Sequence, residues 1–575
     1  MASVDIINLF GFFSNPFSRG GICGIIERQS RIFGGFFVSE KSKSLVGGIS
    51  ILGLAGLICK VVGVLYRIPL ADYIGGEGLG IYSKVFPAYN VLLTVSSAGI
   101  PVAISRMVSH HITRQDPRNA RRVFGVAAPT LALLGLVGTL LLLLGSGYLS
   151  VRVGTPESRL GYIAIAPSVL LVCVMSAFRG YMQGHRRMMP TAISQLIEQV
   201  GKVAIALPLA VLGMRRGGPG MGAAGALLGT SIAEAAALCY MAVAHLRARK
   251  AFDGMVQQEI PPIPRRTIGA RLAAISIPIT LGACIVPIAG LIDSFMITQL
   301  MEQGGMAESE ALIRYGLYSG MVITLINVPT ALAMAMSTNL VPDIASGVAR
   351  GDTEYIARES RTGLRIASVV GFPCAAGMSL LAQPILYLCY AYSGRYTPEQ
   401  LDVAASLLQV SALTIVLFTM VQATSGILQG CGKQRLPMYT LLAGVICKVA
   451  LNYVLIAIPS VNIHGAPIAS LVCYTVSMVP NLYFVVKYAA GKMPWKDALL
   501  RPLAATLPMT AVVALLWKGI FTDRYLHLGR AKLLLAVAVC IGAGVIVYAV
   551  CAFAVKAVKM EDLPAKLRRK VKKSN

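Results

Sequence analysis

Apolar runs of about twenty residues recur along the whole of this chain, and they limit its fold more than any other feature. Leu131 to Leu144, for example, contains no charged residue at all. A helix of about twenty residues rises about 30 Å, the thickness of a bilayer's hydrocarbon core. In lipid every backbone N–H and C=O must be bonded internally, which leaves helices or closed barrels. Barrel strands alternate apolar and polar residues, whereas these runs are continuous. Only 13% of the 575 residues are charged, about half the share in a soluble domain. The chain is therefore read as an all-α polytopic membrane protein.

About fourteen spans are expected, with cores near 47–71, 84–108, 123–147, 160–182, 191–212, 222–244, 270–298, 315–340, 364–388, 403–428, 437–458, 464–486, 500–520 and 533–555. Most Lys and Arg fall in alternate connections. Arg118, Arg121, Arg186, Arg187, Arg247, Arg249, Arg265, Arg266 and the tail all lie on one side. The positive-inside rule then puts both termini in the cytoplasm of a multi-pass cell-membrane protein. Arg215 and Arg216 are a local exception.

The net charge of +27 would suggest nucleic acid in a soluble chain, but here the connections account for it and no nucleic-acid partner is expected. The basic tail is suited to anionic lipid headgroups. The twelve cysteines form no CxxC pair, and the six histidines lack metal-ligand spacing. No P-loop, GxSxG or HExxH is present, so the chain is not expected to be an enzyme or to use ATP, and no metal or cofactor is expected.

The chain repeats itself. Arg179-Gly180-Tyr181-Met182-Gln183-Gly184 ends the fourth span, and Ser425-Gly426-Ile427-Leu428-Gln429-Gly430 ends the tenth. Lys202 and Lys448 follow at the same distance from the last glycine of each motif. Ala224-Gly225-Ala226 and His464-Gly465-Ala466 open the next span of each half. This order predicts a weakly structured extension over 1–44, a six-helix half over 45–250, a linker over 251–268 and a second six-helix half over 269–490. Two appended helices over 491–556 and a basic tail over 557–575 complete it. Parallel halves of this kind place a binding site between them near midplane.

Charges inside the spans mark that site, because each costs at least ~2.5–3.5 kcal/mol at the bilayer centre. The cations are Lys60, Arg67, Lys202 and Lys448. Lys60 and Arg67 share one face of the first span, and Arg67 is near enough to the outer interface to snorkel. Lys448 shares a tetrapeptide, Ile-Cys-Lys-Val, with the stretch around Lys60, but its counterpart in the repeat is Lys202. The acids are Glu198, Glu234 and Asp293, with Glu198 placed to pair with Lys202 one turn on. Asn90 and Asn452, with Asn327 and Gln422, are candidates for the same cavity. The balance is basic and suits a phosphate or pyrophosphate. Glu198, Glu234 or Asp293 could bind a coupling Na⁺ or H⁺.

Tyr66-Arg67-Ile68-Pro69-Leu70-Ala71, Gly75-Gly76-Glu77-Gly78-Leu79-Gly80-Ile81-Tyr82, Pro87-Ala88-Tyr89-Asn90 and Ser97-Ala98-Gly99-Ile100-Pro101-Val102-Ala103-Ile104-Ser105 resemble the polysaccharide biosynthesis and export proteins. The resemblance is to the stage V sporulation protein B group and its lipid II flippase relatives, in the MOP superfamily that also holds the MATE drug exporters. It implies a MATE-like fold and a flippase for an undecaprenyl-pyrophosphate-linked precursor of cell wall or spore cortex. Membrane lipids and cell-wall synthesis proteins are the partners it implies. It also implies that Lys60 and Arg67 form the basic face of the first helix. The Gram-negative lipid II flippases carry Pro-Asn-Leu-Leu-Arg-Arg where this chain reads Ala88-Tyr89-Asn90-Val91-Leu92-Leu93-Thr94, so two arginines are absent. A cation-coupled MATE-type drug exporter and a non-transporting scaffold of wall synthesis are the alternatives.

Overall fold

A computed structural model describes residues 45–253, 261–492, 495–521 and 529–558. The expected extension 1–44, residues 254–260 of the linker and 559–575 of the tail lie outside the described residues. Among the described residues all regular structure is helical, and every cysteine is free.

The helices run in order as α1 (Leu45–Ser97), α2 (Ile100–Thr113), α3 (Pro117–Arg152), α4 (Ser158–Gly184), α5 (Met189–Gly201), α6 (Leu207–Asp253) and α7 (Arg265–Gln303). They continue as α8 (Glu308–Gly316), α9 (Ile323–Arg350), α10 (Thr353–Leu380), α11 (Ala382–Tyr390), α12 (Pro398–Ala412), α13 (Thr414–Gly430), α14 (Arg435–Ile456), α15 (Gly465–Val485), α16 (Arg501–Leu515) and α17 (Arg530–Ala554). Wider π-helical turns, Lys202–Ala206 and Leu317–Val322, join α5 to α6 and α8 to α9.

Twelve helical stretches among the described residues are long and apolar enough to cross a membrane. Two of these, of 56 and 60 residues, far exceed one bilayer. Each is interrupted where the sequence reading put a connection. Gly75 adopts φ 70°, ψ −177° within α1, and Gly218 adopts φ 75°, ψ −162° within α6. Both conformations are essentially open to glycine alone. The expected count of about fourteen and the observed twelve differ across these two breaks.

Local chemistry sets several helix ends. Asp116 caps α3, Asp352 caps α10, and Thr397 with Gln400 forms a capping box ahead of α12. Gly351, at φ 68°, closes α9 in the left-handed region.

The sequence repeat is also a repeat of contacts. A Cβ on Gly180 would lie 2.8 Å from the Pro101 carbonyl oxygen, and one on Gly184 would lie 2.6 Å from Val108 Cβ. In the second half a Cβ on Gly426 would lie 2.6 Å from Ser337 Oγ, and one on Gly430 would lie 2.6 Å from Ile344 Cβ. The motif therefore lets α4 approach α2, and α13 approach α9, by the small-residue packing common in membranes.

The two halves meet at a seam. A Cβ on Gly80 would lie 2.5 Å from the Leu312 carbonyl oxygen, and one on Gly316 would lie 2.7 Å from Gly80 N. Lys84, only 1% exposed, donates to the carbonyl of Val153, to Thr155 Oγ1 at 3.1 Å and to Thr298 Oγ1 at 2.8 Å. Tyr396 Oη donates to the Ala71 carbonyl at 2.8 Å.

Candidate functional site

A cavity of about 1490 Å³ lies between the halves, lined by α1, α5, α7, α9 and α12 to α15. It exceeds the range of roughly 300–1,000 Å³ usual for a small-molecule pocket. Lys60, Arg67, Lys202, Lys448, Asn90 and Asp293 all line it, as do Asn327 and Gln422. All four intramembrane cations thus reach one space, from both halves of the chain.

Each cation is held differently. Arg67 does not snorkel: its Nη1 donates to Thr324 Oγ1 at 3.0 Å, and its guanidinium lies 5.1 Å from the Phe86 ring centre and 5.7 Å from that of Tyr82. Such cation–π contacts are worth about 0.5–1 kcal/mol when exposed and ~2 kcal/mol when desolvated. The Lys60 ammonium rests 3.1 Å from the Met334 sulfur, a weak acceptor. Lys202 begins the π turn and has no carboxylate within ion-pair distance among the described residues. Lys448 Nζ donates to Asp293 Oδ2 at 2.5 Å.

The acids separate by position. Glu198 is absent from the cavity wall and pairs with Arg179 Nη2 at 2.7 Å rather than with Lys202. Arg179 also donates to Ser194 Oγ at 3.0 Å, so the repeat motif's arginine clamps α5. Glu234 is 3% exposed, off the wall, and accepts from Tyr89 Oη at 2.5 Å. Asp293 lies on the wall. Asn452 does not: fully buried behind it, Asn452 donates Nδ2 to Asp293 Oδ1 at 2.9 Å.

The sequence reading missed Arg435, which lines the cavity from the start of α14 but reads as part of a basic connection. It also missed Gln199, Gln429, Gln434, Tyr318 and Tyr474. Gln199 sits between Glu198 and Lys202, and that position is the signal the sequence offers. Among the described residues the wall therefore carries five basic side chains and one carboxylate. That arrangement can hold a multiply charged anion.

Comparison with known proteins bears on the family and the fold. Stage V sporulation protein B of Bacillus subtilis (strain 168) is 26% identical over 433 residues, covering 74% of this chain and 80% of that protein. Lipid II flippase MurJ of the same organism is 23% identical over 526 residues, covering 88% and 95%. A solved structure of lipid II flippase MurJ, in an inward closed conformation, superposes with a TM-score of 0.66 at 12% identity, covering 87% of this chain and 97% of that one. The MatE family model matches residues 278–454, from α7 into α14. The model of the polysaccharide biosynthesis protein family matches residues 45–348, just over half of the 575, and the chain belongs to that family.

Proposed function

We propose that this multi-pass membrane protein is a flippase that moves a lipid-linked oligosaccharide, carried on undecaprenyl pyrophosphate, from the inner to the outer leaflet by alternating access. The observation that carries the reading is the charge of the cavity: among the described residues, five cations and one carboxylate around about 1490 Å³. Placing unpaired cations at bilayer depth costs at least ~2.5–3.5 kcal/mol each, and an anionic headgroup offsets that cost. The names of the relatives, a sporulation protein and a lipid II flippase, support a precursor of cell wall or spore cortex. They are not named for catalysis. The distribution of Lys and Arg supports cytoplasmic termini. Any coupling to Na⁺ or H⁺ would be read as dependence of the flipping rate on that gradient.

A MATE-type drug exporter is the second reading, favoured by the MatE match and by a cavity carboxylate. A cationic drug would share the cavity with four other basic side chains, and Asp293 already has Lys448 beside it.

The test is reconstitution into liposomes with a fluorescent lipid-linked saccharide whose headgroup is quenched from outside. Lys60→Met, Arg67→Met and Lys202→Met are each expected to slow flipping roughly tenfold, the effect of losing about 1.4 kcal/mol of interaction. Unchanged rates in all three would reject the site. Export of a lipophilic cation, with no flipping, would support the second reading.

A further inference from the structure

Asp293 is the one carboxylate on the described cavity wall, and both of its oxygens are already engaged. Oδ2 accepts from Lys448 at 2.5 Å, and Oδ1 accepts from Asn452 at 2.9 Å. Asn452 is fully buried, so the amide grips the carboxylate from behind. Lys448 has three N–H donors, and among the described residues Asp293 supplies its one hydrogen-bond acceptor. Lys448 itself lines the cavity. Lys60, Arg67, Lys202 and Arg435 differ, because no carboxylate lies within ion-pair distance of them among the described residues.

A carboxylate in this place works against a bound anion twice over. It repels the anion directly, and it occupies the ammonium that the anion would otherwise attract. A carrier has a use for such opposition, since cargo must be held firmly enough to enter and weakly enough to leave.

Resting on the flippase reading above, we propose that Asp293 is a built-in competitor for Lys448. Asp293 holds the lysine while the cavity is empty. The arriving pyrophosphate draws the ammonium across, and Asp293 takes it back as the headgroup leaves. Asn452 keeps Asp293 aimed at the lysine throughout. On this view Asp293 limits cargo affinity rather than binding a coupling ion.

The experiment is calorimetric titration of the purified full chain in detergent with inorganic pyrophosphate, paired with flipping rates in liposomes. Asp293→Asn removes the competing charge at nearly constant shape. It is expected to tighten pyrophosphate binding roughly tenfold, within the usual range of coupling between sites, and to slow flipping through delayed release. The double variant Asp293→Asn with Lys448→Gln is expected to lose that tightening. Asn452→Ala keeps both charges but loosens the carboxylate, and shifts binding in the same direction as Asp293→Asn. It keeps the proposal testable if Asp293→Asn fails to fold. Weaker or unchanged binding in both single variants overturns the exchange and leaves the anion cavity standing, as does undiminished tightening in the double variant. Absence of pyrophosphate binding to the wild type overturns the flippase reading and this proposal with it.

Discussion

Asp116 stands between α2 and α3, and its carboxylate gathers three bonds. Oδ1 accepts from Asn119 N at 3.0 Å, and Oδ2 accepts from Asn119 Nδ2 at 2.8 Å and pairs with His111 Nδ1 at 3.0 Å. Burial opposes its ionisation, but the bonds from Asn119 and His111 win and hold the carboxyl below its ordinary value of 3.8. A group depressed in this way stabilises the fold fully above its unfolded value, and that contribution is lost as the pH falls through the folded one. Asp116→Ala is expected to cost about 0.5–2 kcal/mol at neutral pH, as for other lost helix caps. Thermal unfolding in detergent should show the gap from wild type closing as the pH drops below about 4. The charges of the site were legible at this scale because a cation in an apolar run is expensive and therefore conspicuous. Lys60, Arg67, Lys202 and Lys448 all reached the cavity. Arg435 was not legible, since its position in a basic connection looks the same whether it faces water or the cavity. Nor was the partner of Lys448: no acid lies one turn away along α14, and Asp293 comes from another helix.

Helices here pack through glycine, and that yields a contrast in sign. Gly184 faces Val108 at a distance no added Cβ could tolerate without movement, while Gly125 in α3 has nothing within 4 Å of such an atom. Gly184→Ala is expected to destabilise by about 1–3 kcal/mol through overpacking. Gly125→Ala is expected to stabilise by about 0.5–1 kcal/mol, because it stiffens a helix interior without a clash. Unfolding midpoints of the two variants in one detergent decide the matter. The repeat containing Gly184 and Gly430 could be read from spacing alone, but its purpose could not, because the facing residues come from other helices. The π turn at Lys202 was invisible for a different reason. Its residues, Lys202 to Ala206, carry no Pro or Gly that would mark a departure from the α-helix. Spacing predicted Glu198 beside Lys202, yet Glu198 turns to Arg179 and leaves the lysine for the cavity.

Across the whole molecule the halves are drawn together where Gly80 of α1 meets Gly316 of α8. A side chain there acts as a wedge. In a background with the native cysteines replaced by serine, Gly316→Val is expected to part the seam and raise the labelling rate of a cysteine placed at Ser83, which lines the cavity, by several-fold with an impermeant maleimide, for a shift of about 1–2 kcal/mol in the open-to-closed balance. An unchanged labelling rate would show that the seam is not a gate. The helical, membrane-spanning character of the chain was plain from hydropathy, since lipid leaves the backbone few choices. The join between the halves was not, because it depends on surfaces contributed by residues more than two hundred positions apart, as Lys84 and Thr298 are. Lys84 draws its acceptors from both sides of that join. If the halves were to separate, the ammonium would keep Val153 and Thr155 on its own side and give up Thr298. Under the proposed flippase cycle, every opening of the join would then cost Lys84 one of its three acceptors, which ties the pace of turnover to a single buried lysine.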